Sequence, residues 1–169
     1  LLNTMDHTIF KKAISHDQLT SIQSIVLGAG CFWGAERKFW SLPGVVMTSV
    51  GYAGGDHSSP NYELVCAGVT GHAEVVKVDF DPLQISLMDI LKVFWECHDP
   101  TQGMRQGNDI GTQYRSVCYC EDEETMVIIR ASLEKYQSAL AESNLGAITT
   151  ELKTQQEYFL AAEQIHTKK

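Results

Sequence analysis

The junction Gly28-Ala29-Gly30-Cys31-Phe32-Trp33-Gly34 limits what this chain can fold into more than any other stretch. A short apolar run, Ser24-Ile25-Val26-Leu27, leads into it, and a helical pattern, Ala35-Glu36-Arg37-Lys38-Phe39-Trp40-Ser41-Leu42, leads out. A run that is apolar at every position fits a strand buried on both faces. The order is therefore strand, glycine turn, helix, with a cysteine where the helix begins. Unpaired N–H groups and the positive end of the helix dipole meet at that point, and both favour the thiolate, the nucleophilic form of a cysteine. The flanking glycines allow a sharp turn and the close approach of a substrate. Phe32 and Trp33 supply an apolar wall beside the sulfur.

The rest of the composition narrows the function classes. The chain has 169 residues, 44% of them hydrophobic and 20% charged, enough for one domain with a real core. A net charge of −8 makes nucleic acid and anionic membrane poor partners. No apolar run reaches the length of a membrane span. The first residues, Leu1-Leu2-Asn3-Thr4-Met5-Asp6-His7, do not read as a signal peptide, and Met5 is read as the natural start. Five cysteines without framework spacing point to a reducing compartment, the cytoplasm.

Along the chain, residues 1–23 are polar and weakly patterned, with a short helix expected near Phe10 to Ile14. The first helix stops at Leu42-Pro43-Gly44. Val45 to Tyr52 reads as a strand and Gly51 to Asp56 as a glycine-rich turn. Tyr62 to Ala67 is expected to make a helical turn. His72 to Phe80 alternates as a strand, with Glu74, Val76, Val78 and Phe80 on one face. A carboxylate on that apolar face is costly, and its pKa rises if it is buried. Ser86 to Asp89 has the form of a capping box, followed by Leu87, Ile90, Leu91, Phe94 and Trp95 at helical spacing. Thr101 to Gln113 is expected to be a long loop. Tyr114 to Cys120 is read as a strand with Tyr114, Ser116, Cys118 and Cys120 on one face. Glu121 to Glu124 opens a helix with the core stripe Met126, Ile129, Leu133, Tyr136 and Leu140. Ile148 to Leu152 is an edge strand, and the remainder to Ile165 is helical or irregular. With no repeat and no linker, residues 1–169 form a single domain. A mixed sheet with helices against it, an α+β or α/β two-layer sandwich, fits this order.

Several features invite chemistry. Cys118-x-Cys120 could ligate a metal, but a single C-x-C lacks the second pair that structural zinc sites show. His72 and His98 are candidate bases for Cys31, which would make a cysteine hydrolase.

Five blocks, taken in order, resemble the A-type peptide methionine sulfoxide reductases: Gly30-Cys31-Phe32-Trp33-Gly34, Gly51-Tyr52-Ala53-Gly54-Gly55, Thr70-Gly71-His72-Ala73-Glu74, His98-Asp99-Pro100-Thr101, and Gln106-Gly107-Asn108-Asp109 with Gly111-Thr112-Gln113-Tyr114-Arg115-Ser116. The likeness runs from about Ile25 to His166. It implies a ferredoxin-like core within the mixed sheet, in a domain whose core spans about residues 24–166. It implies Cys31 as nucleophile, Glu74 as acid, Tyr62 and Tyr114 as hydroxyl donors, Asp109 as a further catalytic residue, and Phe32 and Trp33 as the substrate wall. It implies an oxidoreductase for oxidative-stress repair, reducing methionine S-sulfoxide in peptides, in proteins or free, and acting as a monomer. No metal or organic cofactor is implied. The external reductant is thioredoxin, or glutathione or glutaredoxin. Many members resolve the cysteine sulfenic acid with a cysteine in a C-terminal tail, and this sequence ends Ala162-Glu163-Gln164-Ile165-His166-Thr167-Lys168-Lys169 without one. Cys66, Cys97, Cys118 and Cys120 stay open as internal resolving thiols, beside direct attack by an external thiol.

Overall fold

The computed structural model describes residues 21–56, 61–66 and 70–167, with the backbone alone for Cys66 and residues 162–167. The helix expected near Phe10 to Ile14 lies outside them.

The apolar run before the glycine turn is strand β1, Gln23–Gly28. Helix α1, Phe32–Trp40, follows and buries Phe32, Ala35, Glu36 and Phe39, the one-sided spacing of an amphipathic helix. Arg37 and Lys38 lie in its last turn, at the negative end of the dipole. Strand β2 is Val45–Ala53, short helix α2 is Tyr62–Cys66, and strand β3 is Ala73–Phe80. Helix α3, Leu87–Glu96, starts at Ser86, whose hydroxyl accepts the Asp89 N–H as expected of an N-cap. A two-stranded ribbon, β4 (Arg105–Gln106) and β5 (Asp109–Ile110), precedes a 3-10 turn, Thr112–Tyr114. Strand β6 (Val117–Cys120), helix α4 (Glu123–Glu142) and strands β7 (Glu151–Thr154) and β8 (Tyr158–Thr167) complete the order.

Among the described residues, six strands form one sheet in the order β7-β6-β1-β3-β2-β8. All neighbours are antiparallel except β6 and β7, so the sheet is mixed. The units β1-α1-β2 and β3-α3-β6 interleave as β6-β1-β3-β2, the βαββαβ arrangement of a ferredoxin-like core. The fold is α+β. Ile25, Leu27, Val76, Val78 and Phe80 of the central strands meet Phe39, Leu91, Phe94, Met126 and Ile129 of the helices in one core. The opposite face carries a smaller cluster, Ala53, Ala73, Val75, Val117 and Tyr119. Trp95 ties α3 to α4, donating its indole N–H to the Ser132 hydroxyl at 2.7 Å and stacking on Tyr136. No helix among the described residues is long and apolar enough to cross a membrane.

Four expectations change. Tyr114 is not on a strand. Gly111 has φ +147°, and the amides of Tyr114 and Arg115 close tight turns on the carbonyls of Gly111 and Thr112. The strand therefore starts only at Val117, so Tyr114 does not share a strand face with Cys118 and Cys120. The loop from Thr101 contains the β4–β5 ribbon. The edge strand expected at Ile148 to Leu152 runs instead from Glu151 to Thr154. The segment expected to be helical or irregular after it is β8, ten residues on the free edge of β2. Its run of helix formers is overruled because β2 offers a row of unpaired backbone groups.

The β2–β8 seam depends on Gly51. A Cβ built there would collide with the Phe159 carbonyl oxygen and lie 2.7 Å from the Tyr158 ring. Gly51→Ala is expected to cost about 1–3 kcal/mol, read as a lowered thermal midpoint and faster amide exchange along β8, with the exchange of β1 and β6 little changed.

Candidate active site

Cys31 occupies the N-cap position of α1, and its carbonyl accepts the Ala35 N–H at 3.1 Å. The turn that delivers it needs Gly30, whose φ is +95° and whose missing side chain leaves room for Gln106, within 2.8 Å of an added Cβ. Gln106 is one residue the sequence reading did not single out. Its side-chain amide holds the Asp99 backbone at both ends, accepting the N–H at 2.9 Å and donating to the C=O at 2.8 Å. This places the ribbon over the turn beside Cys31. Only its position in the last of the five blocks pointed to it.

Glu74 stands on β3, on the helix side of the sheet, opposite Tyr52 of β2. It is 2% exposed. Its Oε1 accepts the Phe32 backbone N–H at 3.1 Å, so a buried carboxyl sits one peptide unit from the cysteine. Burial pushes its pKa up to about 7, with the Phe32 N–H pulling it back and the nearby charge of Asp109 pushing further. Asp109 lies on the exposed ribbon, paired with Gln106. The apolar wall is divided: Phe32 is buried and packs against Tyr52 at 5.7 Å, while Trp33 meets Phe32 edge to face at 5.3 Å and remains 45% exposed. Tyr114 ends the 3-10 turn, which packs against β3. Tyr62 opens α2 and is 59% exposed. The structure thus brings Cys31, Phe32, Trp33 and Glu74 together, sets Tyr114 and Asp109 on adjoining segments, and leaves Tyr62 at the surface.

The two histidines are otherwise engaged. His72 is buried, and its Nδ1 accepts the Gly55 N–H at 2.9 Å. The Nδ1–H of His98 donates to the Phe94 carbonyl at 2.7 Å, and Nε2 bonds the Ser116 hydroxyl at 2.8 Å. Burial lowers the His98 pKa to about 4 and keeps the ring neutral. With both nitrogens of His98 committed, the hydrolase reading finds no base there.

The other thiols lie in different settings. Cys118 is fully buried on β6 and Cys120 nearly so, and burial raises both pKa values. Cys97 caps α3, donates to the Phe94 carbonyl at 3.4 Å, and is pushed up to about 11 by burial against a smaller opposing effect of Lys38. Among the described residues, no group of three or more His, Cys, Asp or Glu side chains is arranged to hold a metal ion.

A cysteine at a helix N-terminus, an adjacent buried carboxyl whose pKa is raised to about 7 and a half-open aromatic wall are groups that a thiol-based redox or transfer reaction would use. The profile of the family described as "Peptide methionine sulfoxide reductase" matches residues 23–168, and the chain belongs to that family. It is 57% identical over 141 residues to the peptide methionine sulfoxide reductase MsrA of Salinispora arenicola, an alignment covering 83% of this chain and 64% of that relative. It is 49% identical over 161 residues to MsrA of Maricaulis maris, covering 95% of this chain and 74% of the relative. The chain therefore spans under two thirds of the first of these proteins. Its fold superposes on the methionine sulfoxide reductase A of Corynebacterium diphtheriae with a TM-score of 0.80 at 45% identity, covering 83% of this chain and 70% of that one.

The raised pKa of Glu74 is also a stability term. The neutral form is preferred in the folded state, so stability falls as pH rises from about 4.5 to about 7 and is constant beyond. Glu74→Gln keeps an acceptor for the Phe32 N–H and removes that penalty. It is expected to raise stability at pH 8 by on the order of 3 kcal/mol and to leave it nearly unchanged at pH 4, read by denaturant unfolding at the two pH values.

Proposed function

We propose that this chain is a peptide-methionine (S)-S-oxide reductase whose core, residues 24–166, acts as one domain. The observation that carries the reading is the Phe32 N–H to Glu74 contact of 3.1 Å, which puts a buried carboxyl with a pKa of about 7 beside Cys31. A sulfoxide has a positive sulfur and a negative oxygen. The Cys31 sulfur attacks the sulfoxide sulfur while protonated Glu74, with the phenols of Tyr114 and Tyr62, donates to the oxygen where negative charge collects. Oxygen passes to Cys31. The sulfoxide is reduced by two electrons to methionine, and the cysteine is oxidised by two electrons to its sulfenic acid. Phe32 and Trp33 hold the S-methyl group, and Asp109 favours the protonated state of Glu74. Two external thiols then return Cys31 to the thiol, releasing one disulfide and one water.

The setting of Cys97, Cys118 and Cys120 supports an external reductant: each is buried or half-buried with a raised pKa, which disfavours the thiolate needed for attack. Thioredoxin, glutaredoxin and glutathione all meet the requirement. Every group in this reading comes from one copy of the chain, consistent with a monomer. The free thiols fit a reducing, cytoplasmic setting. Oxidised methionine in peptides and proteins, and free methionine sulfoxide, are the substrates.

Cys31→Ser is expected to abolish reduction of the S epimer; full activity in that variant overturns the reading. In single turnover the wild-type rate should fall as pH rises through about 7, as Glu74 loses its proton. Glu74→Gln should slow the step by on the order of a hundredfold or more and remove that limb. Intact mass after one equivalent of sulfoxide should show the gain of one oxygen, lost on adding thiol; a loss of two hydrogens would instead identify an internal disulfide.

A further inference from the structure

On the sheet face opposite the helices, one buried cation touches both segments that carry the candidate acid and its neighbours. Arg115 follows Tyr114 and is itself buried. Its Nη2 donates to the Gly71 carbonyl at 2.9 Å, three residues before Glu74. Its Nη1 donates to the Thr112 carbonyl at 2.9 Å, at the start of the 3-10 turn that ends in Tyr114 and three residues after Asp109. Its Nε faces Glu151 Oε1 of the edge strand β7 at 3.4 Å. The second oxygen of Glu151 accepts the Tyr119 hydroxyl and lies 3.5 Å from Lys153 Nζ. Tyr119 in turn fills the space over Gly54, where a Cβ would strike its hydroxyl. The end of β1 is enclosed by the same groups: a Cβ on Gly28 would lie 3.1 Å from the Glu74 carbonyl and 3.3 Å from that of Arg115.

A planar guanidinium with donors in a fixed fork can satisfy three acceptors on separate segments at once, which a lysine ammonium on a flexible stem cannot do in the same geometry. A buried guanidinium also needs a counter-charge, and Glu151 supplies it. Resting on the reductase reading, we propose that Arg115, anchored by Glu151, is a positioning residue that sets Glu74 and Tyr114 against Cys31 from the far side of the sheet. Neither residue touches the reacting atoms. Arg115 acts through two carbonyls, one leading into β3 and one leading into the turn. If the anchor is lost, the guanidinium turns toward solvent, the Gly71 segment relaxes, and the contact between Glu74 and the Phe32 N–H lengthens.

The test uses the full chain with Glu151→Gln, which keeps the shape and the hydrogen bond to Tyr119 but removes the counter-charge. Arg115→Lys is the second variant. Two readouts are taken. Carbon-13 NMR titration of the Glu74 carboxyl, without substrate, should show its midpoint moving up by about half a pH unit or more, because the Phe32 N–H that holds it down is withdrawn. Single-turnover reduction of N-acetylmethionine S-sulfoxide should slow by about tenfold or more at saturation, with the half-saturation concentration unchanged. A merely structural role would lower the melting temperature and move neither readout. An unmoved Glu74 midpoint, or an unchanged saturated rate, in both variants overturns the proposal. A wild-type chain without reductase activity overturns the functional reading instead, and the titration alone then decides whether the pair places Glu74.

Discussion

A carboxyl group on the apolar side of a central strand is costly to bury, and the hydrogen bond from the Phe32 N–H to Glu74 is what makes the position tenable. That bond joins the first turn of α1 to the start of β3, so one contact places the cysteine and the acid side by side. Burial favours the neutral carboxyl and the N–H favours the ionised one. The balance near neutral pH leaves a group able to donate a proton. A fully satisfied carboxylate, with two or three N–H partners, would be ionised throughout the neutral range and could not donate.

Around this contact the fold assigns each face of the sheet a task. The helix side contains the core and the aromatic wall, with Phe32 between Tyr52 and Trp33. The opposite side holds few apolar groups and instead joins segments by charge and hydrogen bonds, through Arg115, Glu151 and Tyr119. A sheet so arranged can keep its loops in register at the end where β1 and β3 deliver Cys31 and Glu74. The ribbon β4–β5 closes the same end, held by Gln106 on the Asp99 backbone and seated against Gly30.

The sequence shows much of this because the local signals agree with the tertiary ones. The apolar run before Gly28, the alternation from His72 to Phe80, the Ser86 cap and the Met126 to Leu140 stripe are all satisfied by the packing they predict. The faces of β3 are legible for the same reason: period-two alternation determines which residues share a side, so Glu74 had to join Val76 and Val78. Two of the departures have different causes, one local and one distant. Tyr114 reads as the start of a strand, yet Gly111 and Thr112 turn the chain before it. Tyr158 to Thr167 reads as helical or irregular, yet the open edge of β2 claims it.

The sequence by itself determined which residue types stand at which points of the chain: a cysteine at the strand-to-helix turn, two aromatics after it, and a carboxylate on an apolar strand face. These follow from spacing and side-chain chemistry, which are local. Tertiary structure alone decided that Glu74 of the third strand meets the Phe32 N–H, that His98 is neutral and fully bonded, that Cys118 and Cys120 are sealed in the core, and that Arg115 spans Gly71, Thr112 and Glu151. Each of those depends on how far a group is removed from water and on which segment the sheet order places beside it. Neither quantity is written in the neighbours of a residue along the chain, because strand pairing brings together backbones that are tens of residues apart.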